Sequence, residues 1–178
     1  MTTTAAATTE KWRRAQEQAR KTATWARTMT AVIIGRNNTQ APFWHVINFL
    51  GPGKCEPRGI VDLLAIRKNQ GDHALPLKRG DLFDMILIQV KGGSAKRPSS
   101  EERERLRSVA ETYGARMILL SEWKQGSKAV LRRLEHDEWS EAIDPAEVFG
   151  PRRKLKQIAS AAPNAASKAW ATRRARSR

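Results

Sequence analysis

Two short apolar segments, each broken by polar side chains, limit the folds open to this chain. The first reads IVDLLAIR over residues 60–67 and the second reads MILIQVK over residues 85–91. Such short and nearly continuous apolar runs are typical of strands that are buried on both faces. Asp62 shares a strand face with apolar side chains, and Gln89 shares one with Lys91, because side chains alternate along a strand. Burying an isolated carboxylate is costly, so we expect a positively charged partner for Asp62.

The pairing of these two strands would bring their polar residues together. If the strands form an antiparallel hairpin across residues 68–84, the beginning of the first lies beside the end of the second. Asp62 then meets Gln89 and Lys91 at one end of the hairpin. The connecting segment is long and carries no turn signal, so this expectation rests on topology alone.

A helix and two more strands are predicted after the hairpin. Ser99 and Glu102 stand at capping-box spacing and predict the start of the helix, and Gly114 predicts its end. The apolar stripe of this helix is formed by Leu106, Val109, Ala110 and Tyr113. Residues 116–120 fit another buried strand and residues 129–134 fit an edge strand. This order of elements predicts an α/β fold with a central mixed sheet flanked by helices.

The segments upstream of the hairpin give weaker patterns. Residues 10–28 are rich in helix formers but lack a continuous apolar stripe, which indicates a basic, partly exposed helix. Residues 30–34 fit a short strand, whereas residues 42–50 fit either a strand or a short helix. Packing rather than base stacking is the expected role of the tryptophans, because this side chain is highly buried on average: Trp12, Trp25, Trp123 and Trp139.

The net charge of +15 on the 178 residues is concentrated at the two ends. Residues 151–178 contain nine Lys or Arg and no acid, residues 1–30 have a net charge of +4, and the remainder has only +2. Basic ends on a near-neutral middle suit a polyanion, because each neutralised phosphate releases counterions. We therefore predict a basic helical extension over residues 1–30, a folded domain over residues 31–150 and a disordered basic tail over residues 151–178.

Nucleic acid is the polyanion that these ends are expected to bind. The candidate phosphate-binding side chains in the tail are Arg152, Arg153, Lys154, Lys156, Arg173 and Arg174. Cys55 is the sole cysteine, and the sequence has neither an export signal nor an apolar run long enough to cross a membrane. These features predict a cytoplasmic protein without a membrane partner.

The stretch GIVDLLAIR, followed by ILIQVKGG and then by the predicted helix and strand, resembles the PD-(D/E)XK nuclease superfamily. The resemblance is strongest to Holliday junction resolvase-like and to phage or mobile-element endonucleases, and it covers about residues 55–122. It implies a restriction-endonuclease-like core, here with basic terminal extensions. It also implies hydrolysis of DNA phosphodiester bonds with Mg²⁺ or Mn²⁺, and it allows a structure-specific substrate such as a DNA junction.

Carried over by position, the family's site residues fall on the polar residues of the hairpin. Asp62 takes the place of the metal-binding carboxylate, Gln89 that of the second acid and Lys91 that of the lysine. The metal ligands implied by the resemblance are Asp62, the Gln89 amide oxygen and the Val90 backbone carbonyl. Oxygen ligands of this kind suit a hard cation that keeps several of its waters.

The sequence departs from the family's pattern in two places. Gln89 removes one negative charge from the site, although some members of the family carry Gln-x-Lys. The family usually places a Glu on its first helix, and no Glu lies between residues 18 and 55. The nearest acids are Glu10, Glu17 and Glu56, of which Glu56 is the candidate for an additional acid.

Two other functions fit the same sequence. A non-catalytic DNA-binding protein on a degenerate nuclease fold is the main alternative, because Gln89 and the missing helix Glu would permit loss of chemistry. The basic tail also fits a ribosome-associated RNA binder, so that DNA rather than RNA rests on the resemblance. A homodimer is compatible with either. An ion pair between Asp62 and Lys91 with no room for metal would favour the binder.

Overall fold

Three helices and six strands make up the part of the chain that the computed structural model describes, namely residues 3–49, 59–72, 74 and 76–152. In chain order these are α1 (Thr3–Asn37), β1 (His45–Asn48), β2 (Leu63–Lys68), β3 (Phe83–Gly92), α2 (Ser100–Tyr113), β4 (Met117–Trp123), β5 (Val130–Glu135), β6 (Glu138–Trp139) and α3 (Pro145–Phe149). The predicted tail lies outside the described residues from residue 153 onward. No helix within the described ranges is long and apolar enough to cross a membrane.

The strands form one mixed sheet in which spatial order follows sequence order, β1-β2-β3-β4-β5-β6. Only the β3–β4 pair is parallel, and α2 makes the crossover connection between these two strands. Neighbouring strands elsewhere in the sheet are antiparallel. The prediction of an α/β fold with a mixed sheet flanked by helices is therefore confirmed.

Each face of the sheet is covered by a different set of helices. Ile34 of α1 and Phe149 of α3 pack with Leu63, Ile88 and Leu119 in one buried cluster. On the opposite face, α2 contributes side chains to a second cluster, whose buried members are Ile60, Leu87, Leu106, Ala110 and Ile118. Adjacent strand residues thus enter opposite clusters, as the alternation of side chains along a buried strand requires.

The predicted antiparallel hairpin is confirmed by the pairing of β2 with β3. Leu63 lies opposite Ile88, and Lys68 lies opposite Phe83. Asp62 immediately precedes β2, and its backbone N–H donates to the Ile88 carbonyl at 3.0 Å. This register places Asp62 at the end of the hairpin where β3 carries its polar residues.

The predicted boundaries of α2 are also confirmed. The Ser99 side chain accepts a hydrogen bond from the Glu102 backbone, the Glu102 side chain accepts one from the Ser99 backbone, and Gly114 ends the helix in the left-handed conformation with φ 62°. Tyr113 is an exception to the predicted stripe because its side chain is exposed. Tyr113 comes one turn after Val109, which is only partly buried, and so lies at the edge of the helix face that packs against the sheet.

The prediction of a strand at residues 30–34 is wrong, because α1 continues to Asn37. Its β-branched residues suggested a strand, but packing against the sheet overrides that weak preference. The Thr30 hydroxyl hydrogen-bonds the Ala26 carbonyl at 2.8 Å and the Ser121 hydroxyl at 2.7 Å, and Ile34 is buried in the core. The helix therefore runs through residue 30, where the sequence places the end of the extension.

Two further differences concern the second half of the sheet and the tryptophans. β5 pairs with both β4 and the two-residue strand β6, so it is not the predicted edge strand. A tight turn at His136 and Asp137, both with positive φ, makes this last hairpin. The prediction that Trp12 and Trp25 pack into the protein is wrong, because both side chains are exposed on α1.

Candidate functional site

A cleft of about 770 Å³ opens at the end of the β2–β3 hairpin. Its floor is formed by Asp62 and by residues 89–92 at the end of β3. One wall is the stretch of α1 between residues 15 and 27, and the other wall is the start of α2 with the turn before it. The three polar residues that the sequence predicts to converge therefore line the same cleft.

Gly92 allows α1 to cross close to the end of β3. A Cβ atom at this position would lie 3.0 Å from the Ala26 Cβ and 3.1 Å from the Thr22 carbonyl oxygen. Contacts this short would force the helix away from the strand. The absence of a side chain at residue 92 thus brings the middle of α1 against the floor of the cleft.

Both oxygens of the Asp62 carboxylate accept hydrogen bonds. Oδ2 accepts from the Val90 backbone N–H at 2.6 Å, and Oδ1 accepts from Arg27 Nη2 at 3.3 Å. Burial raises the pKa of Asp62 above its ordinary value, and the Val90 N–H together with the positive charges of Arg27 and Lys91 opposes that rise only in part. The expected positive partner exists, and it comes from α1.

Arg27 is the functional residue that the sequence reasoning missed. Only 6% of it is exposed, although it belongs to a segment interpreted as a partly exposed basic helix. A signal was present in the spacing: Ala23, Arg27, Thr30 and Ile34 recur at helical intervals and form one stripe. Extending the predicted helix beyond residue 28 would have placed Arg27 on the face that packs against the sheet.

Lys91 lines the cleft but pairs with α2. Its Nζ atom lies 3.8 Å from Glu102 Oε1, while Oε2 of the same Glu102 caps the start of α2. Asp62 therefore takes Arg27 as its ion-pair partner, and the direct Asp62–Lys91 pair that would have favoured the non-catalytic binder does not form. Lys91 still contributes positive charge near Asp62.

Gln89 carries an unsatisfied acceptor in the floor of the cleft. The residue is 5% exposed, and its Oε1 atom is buried without a hydrogen-bond donor among the described residues. Leaving a buried acceptor unpaired costs about 1–3 kcal/mol. A donor or a cation that reaches the amide oxygen would remove that cost.

The oxygen atoms at the floor fit a hard divalent cation with few protein ligands. Each Asp62 oxygen keeps an acceptor site beyond the hydrogen bond described above, and Gln89 and Val90, which line the same cleft, would add an amide and a carbonyl oxygen. Mg²⁺ and Mn²⁺ accept such ligands, and Mg²⁺ retains several waters. Within the described ranges, no three or more His, Cys, Asp or Glu side chains are grouped to hold a metal.

The remaining predicted site residues lie apart from this cleft or outside the described residues. Arg152 is exposed and lines a separate groove beside Arg36 and Asp144. The candidates outside the described residues are Glu56, Arg153, Lys154, Lys156, Arg173 and Arg174. The structure thus brings together the hairpin residues Asp62, Gln89, Val90 and Lys91, and adds Arg27 to them.

Comparisons of the chain with family models, with curated proteins and with solved structures found no match.

Proposed function

We propose that this protein hydrolyses phosphodiester bonds of DNA with Mg²⁺ or Mn²⁺ at the cleft floored by Asp62, Gln89 and Lys91. The observation that carries the proposal is that Gln89, with its unpartnered Oε1, lines the same cleft as the Asp62 carboxylate. A cation held by both residues satisfies this acceptor and balances the carboxylate. The resemblance of the hairpin to PD-(D/E)XK nucleases is the second support, and the proposal includes a restriction-endonuclease-like core.

The side chains of the cleft have distinct roles in this proposal. Asp62, the Gln89 amide oxygen and the Val90 carbonyl hold the cation, which when bound lowers the pKa of a coordinated water and polarises the phosphate. Lys91 offsets negative charge on the phosphate as a compact ammonium group. The Val90 N–H fixes the orientation of the Asp62 carboxylate through its 2.6 Å hydrogen bond.

The basic ends supply affinity for DNA that does not depend on sequence. The tail contributes nine of the chain's Lys and Arg residues without an acid, which suits contacts to phosphates. DNA is the proposed partner and the cytoplasm the proposed location. A homodimer stays a prediction.

One observation favours the second candidate function, a non-catalytic DNA-binding protein on a nuclease-like fold. Arg27 already neutralises Asp62, and Gln89 adds no charge to attract a metal. The two candidates differ in whether Asp62 can exchange the Arg27 guanidinium for a metal ion. Metal binding is therefore the measurement that separates them.

The test is cleavage of DNA by the parent protein and by Asp62→Asn, with and without Mn²⁺. The amide keeps the shape of the side chain and removes its charge, so cleavage should fall by at least about a hundredfold while DNA affinity stays nearly unchanged. Asp72→Asn is a matched control, because Asp72 is an exposed carboxylate in the loop between β2 and β3. Thermal melting verifies that each variant folds.

Three results would count against hydrolysis at this site. Cleavage by Asp62→Asn at the parent's rate would show that the activity does not depend on Asp62 or comes from a contaminant. Unfolding of that variant would make Asp62 structural. Failure of the parent to bind metal or to cut DNA of any shape would leave the non-catalytic binder as the better explanation.

A further inference from the structure

The N-terminal half of α1 carries an exposed tryptophan at the outer end of the cleft wall. The part of this wall nearest the opening is made of Ala15, Gln18 and Ala19, whose side chains are small or uncharged. Trp12 precedes Ala15 by three positions and Ala19 by seven, so it lies on the same face of the helix. Its indole is 67% exposed. An aromatic surface is thus available to a ligand that is bound in the cleft and extends out of it along α1.

The wall is long enough for several nucleotides of one strand. From Trp12 to Ala23 the helix rises by about 16 Å, at roughly 1.5 Å per residue. That length corresponds to about five nucleotides at the stacked spacing of about 3.4 Å. The cleft volume of about 770 Å³ falls within the range of small-ligand sites, which is enough to admit a short piece of single strand.

The charges of the cleft and its surroundings suit a phosphate backbone. Lys91 lies on its floor and Arg105 on its α2 wall. The stretch of α1 from residue 8 to residue 21 has five basic and two acidic side chains and thus a net charge of +3. Gln89, whose buried Oε1 has no hydrogen-bond donor among the described residues, lines the inner end of the cleft.

From this arrangement we infer that the cleft takes an unpaired DNA strand, with one base stacked on Trp12. Stacking on an aromatic side chain requires a free base face, which a base inside a duplex does not offer. The phosphates then follow the α1 wall toward Lys91. The inference rests on the proposed function in taking the cleft as the DNA site, and it narrows the substrate to DNA with a single-stranded segment.

Trp25 provides a matched control for Trp12. Both are exposed tryptophans on α1, with 54% of Trp25 exposed. They are thirteen positions apart in the sequence, which places their side chains roughly 140° apart around the helix at about 3.6 residues per turn. Trp25 thus faces a different direction from Trp12 and does not itself line the cleft, so its replacement tests for a general effect of losing an exposed indole.

The experiment measures dissociation constants by fluorescence anisotropy for a labelled single strand and for the duplex of the same sequence. The full-length chain is used in EDTA, so that no hydrolysis occurs. Trp12→Ala should weaken single-strand binding by about 5- to 150-fold, which corresponds to the usual range for one stacked base. Duplex binding should not change, Trp12→Phe should keep most of the affinity, and Trp25→Ala should resemble the parent.

The inference is overturned by equal losses on single strand and duplex, by no loss with Trp12→Ala, or by the same loss with Trp25→Ala. Circular dichroism of the variants checks that α1 keeps its helicity. DNA hydrolysis at the cleft and base stacking on Trp12 can be refuted independently of each other. A strand preference that depends on Trp12, together with no metal binding, refutes hydrolysis alone, whereas metal-dependent cutting of intact duplex without that preference refutes the stacking site alone.

Discussion

Arg27 controls the electrostatic environment of Asp62. Replacing Arg27 with Met keeps an unbranched apolar stem and removes the charged guanidinium, so Asp62 is left buried without the ion pair at 3.3 Å. We expect the free energy of unfolding to fall by about 3 kcal/mol, because an uncompensated buried charge is costly. Urea denaturation at neutral pH measures the change.

The double variant Arg27→Met with Asp62→Asn is the control for this prediction. It removes both charges of the pair and should recover most of the stability of the parent, which a double-mutant cycle quantifies. A single Arg27→Met variant as stable as the parent would show that the pair does not form in solution.

Gln89 offers the complementary change, an added charge at the floor of the cleft. Gln89→Glu adds an anionic oxygen without changing side-chain length, so affinity for Mg²⁺ or Mn²⁺ should rise by about tenfold or more. Activity alone does not decide the matter, because the new carboxylate also attracts Lys91 on the same strand face. Calorimetry gives the metal dissociation constants of both proteins at the same salt and pH.

Asp62→Asn serves as the blank for this titration. Equal affinities in the parent, in Gln89→Glu and in the blank would mean that the cleft has no metal site. The non-catalytic function would then take precedence.

The convergence of Asp62, Gln89 and Lys91 could be predicted because it depends on local rules. Side-chain alternation and the antiparallel pairing of two apolar strands suffice to bring them to one end of the hairpin. The partner of Asp62 could not be predicted in the same way. Arg27 precedes Asp62 by 35 positions, and their contact depends on how α1 docks across the sheet.

Among the elements, the docking of α1 against β3 depends on Gly92. Gly92→Ala places a methyl group against Ala26 and Thr22, so the helix must shift outward. We expect a loss of about 1–3 kcal/mol in stability, in the range for overpacking a tight contact.

Gly35→Ala is a control that should change the stability of the protein in the opposite direction. Gly35 lies in the same helix, and a Cβ atom there would meet nothing within 4 Å. Replacing it should therefore stabilise the protein by about 0.5–1 kcal/mol, since Gly is unfavourable inside a helix. Equal effects of the two substitutions in chemical denaturation would contradict the close crossing at Gly92.

The sequence predicted most elements and misjudged those whose form depends on distant packing. The capping signals at Ser99 and Gly114 lie at the ends of the helix they delimit, so α2 was predictable from its own residues. Residues 30–34 are helical because Thr30 and Ile34 pack against the sheet, which local preference does not record. β5 looked like an edge strand because β6 has only two residues and an unusual turn.

At the scale of the whole molecule, the basic tail should act on DNA affinity separately from the cleft. Deleting residues 153–178 removes eight Lys or Arg residues, so binding to duplexes of any sequence should weaken. The slope of log affinity against log salt should flatten by about 0.9 for each phosphate that the shortened protein no longer neutralises. Titrations of parent and truncated protein at several salt concentrations measure both quantities.

Cleavage should survive the truncation when DNA is supplied at saturating concentration. The cleft residues all precede the deletion, and the hydrogen bonds that hold Asp62 are made by Arg27 and Val90. An unchanged salt slope in the truncated protein would show that the tail does not bind phosphates.

The two halves of the continuous helix α1 should differ in how easily they unfold locally. Residues 11–21 are exposed on all sides, whereas Ala26, Thr30 and Ile34 are fully buried in the same hydrogen-bonded helix. Amide hydrogen exchange should therefore be fast near Trp12 and slow by several orders of magnitude near Thr30, because only the second half must unfold against the core to exchange. A bound single strand should slow exchange in the first half and leave the second half unchanged.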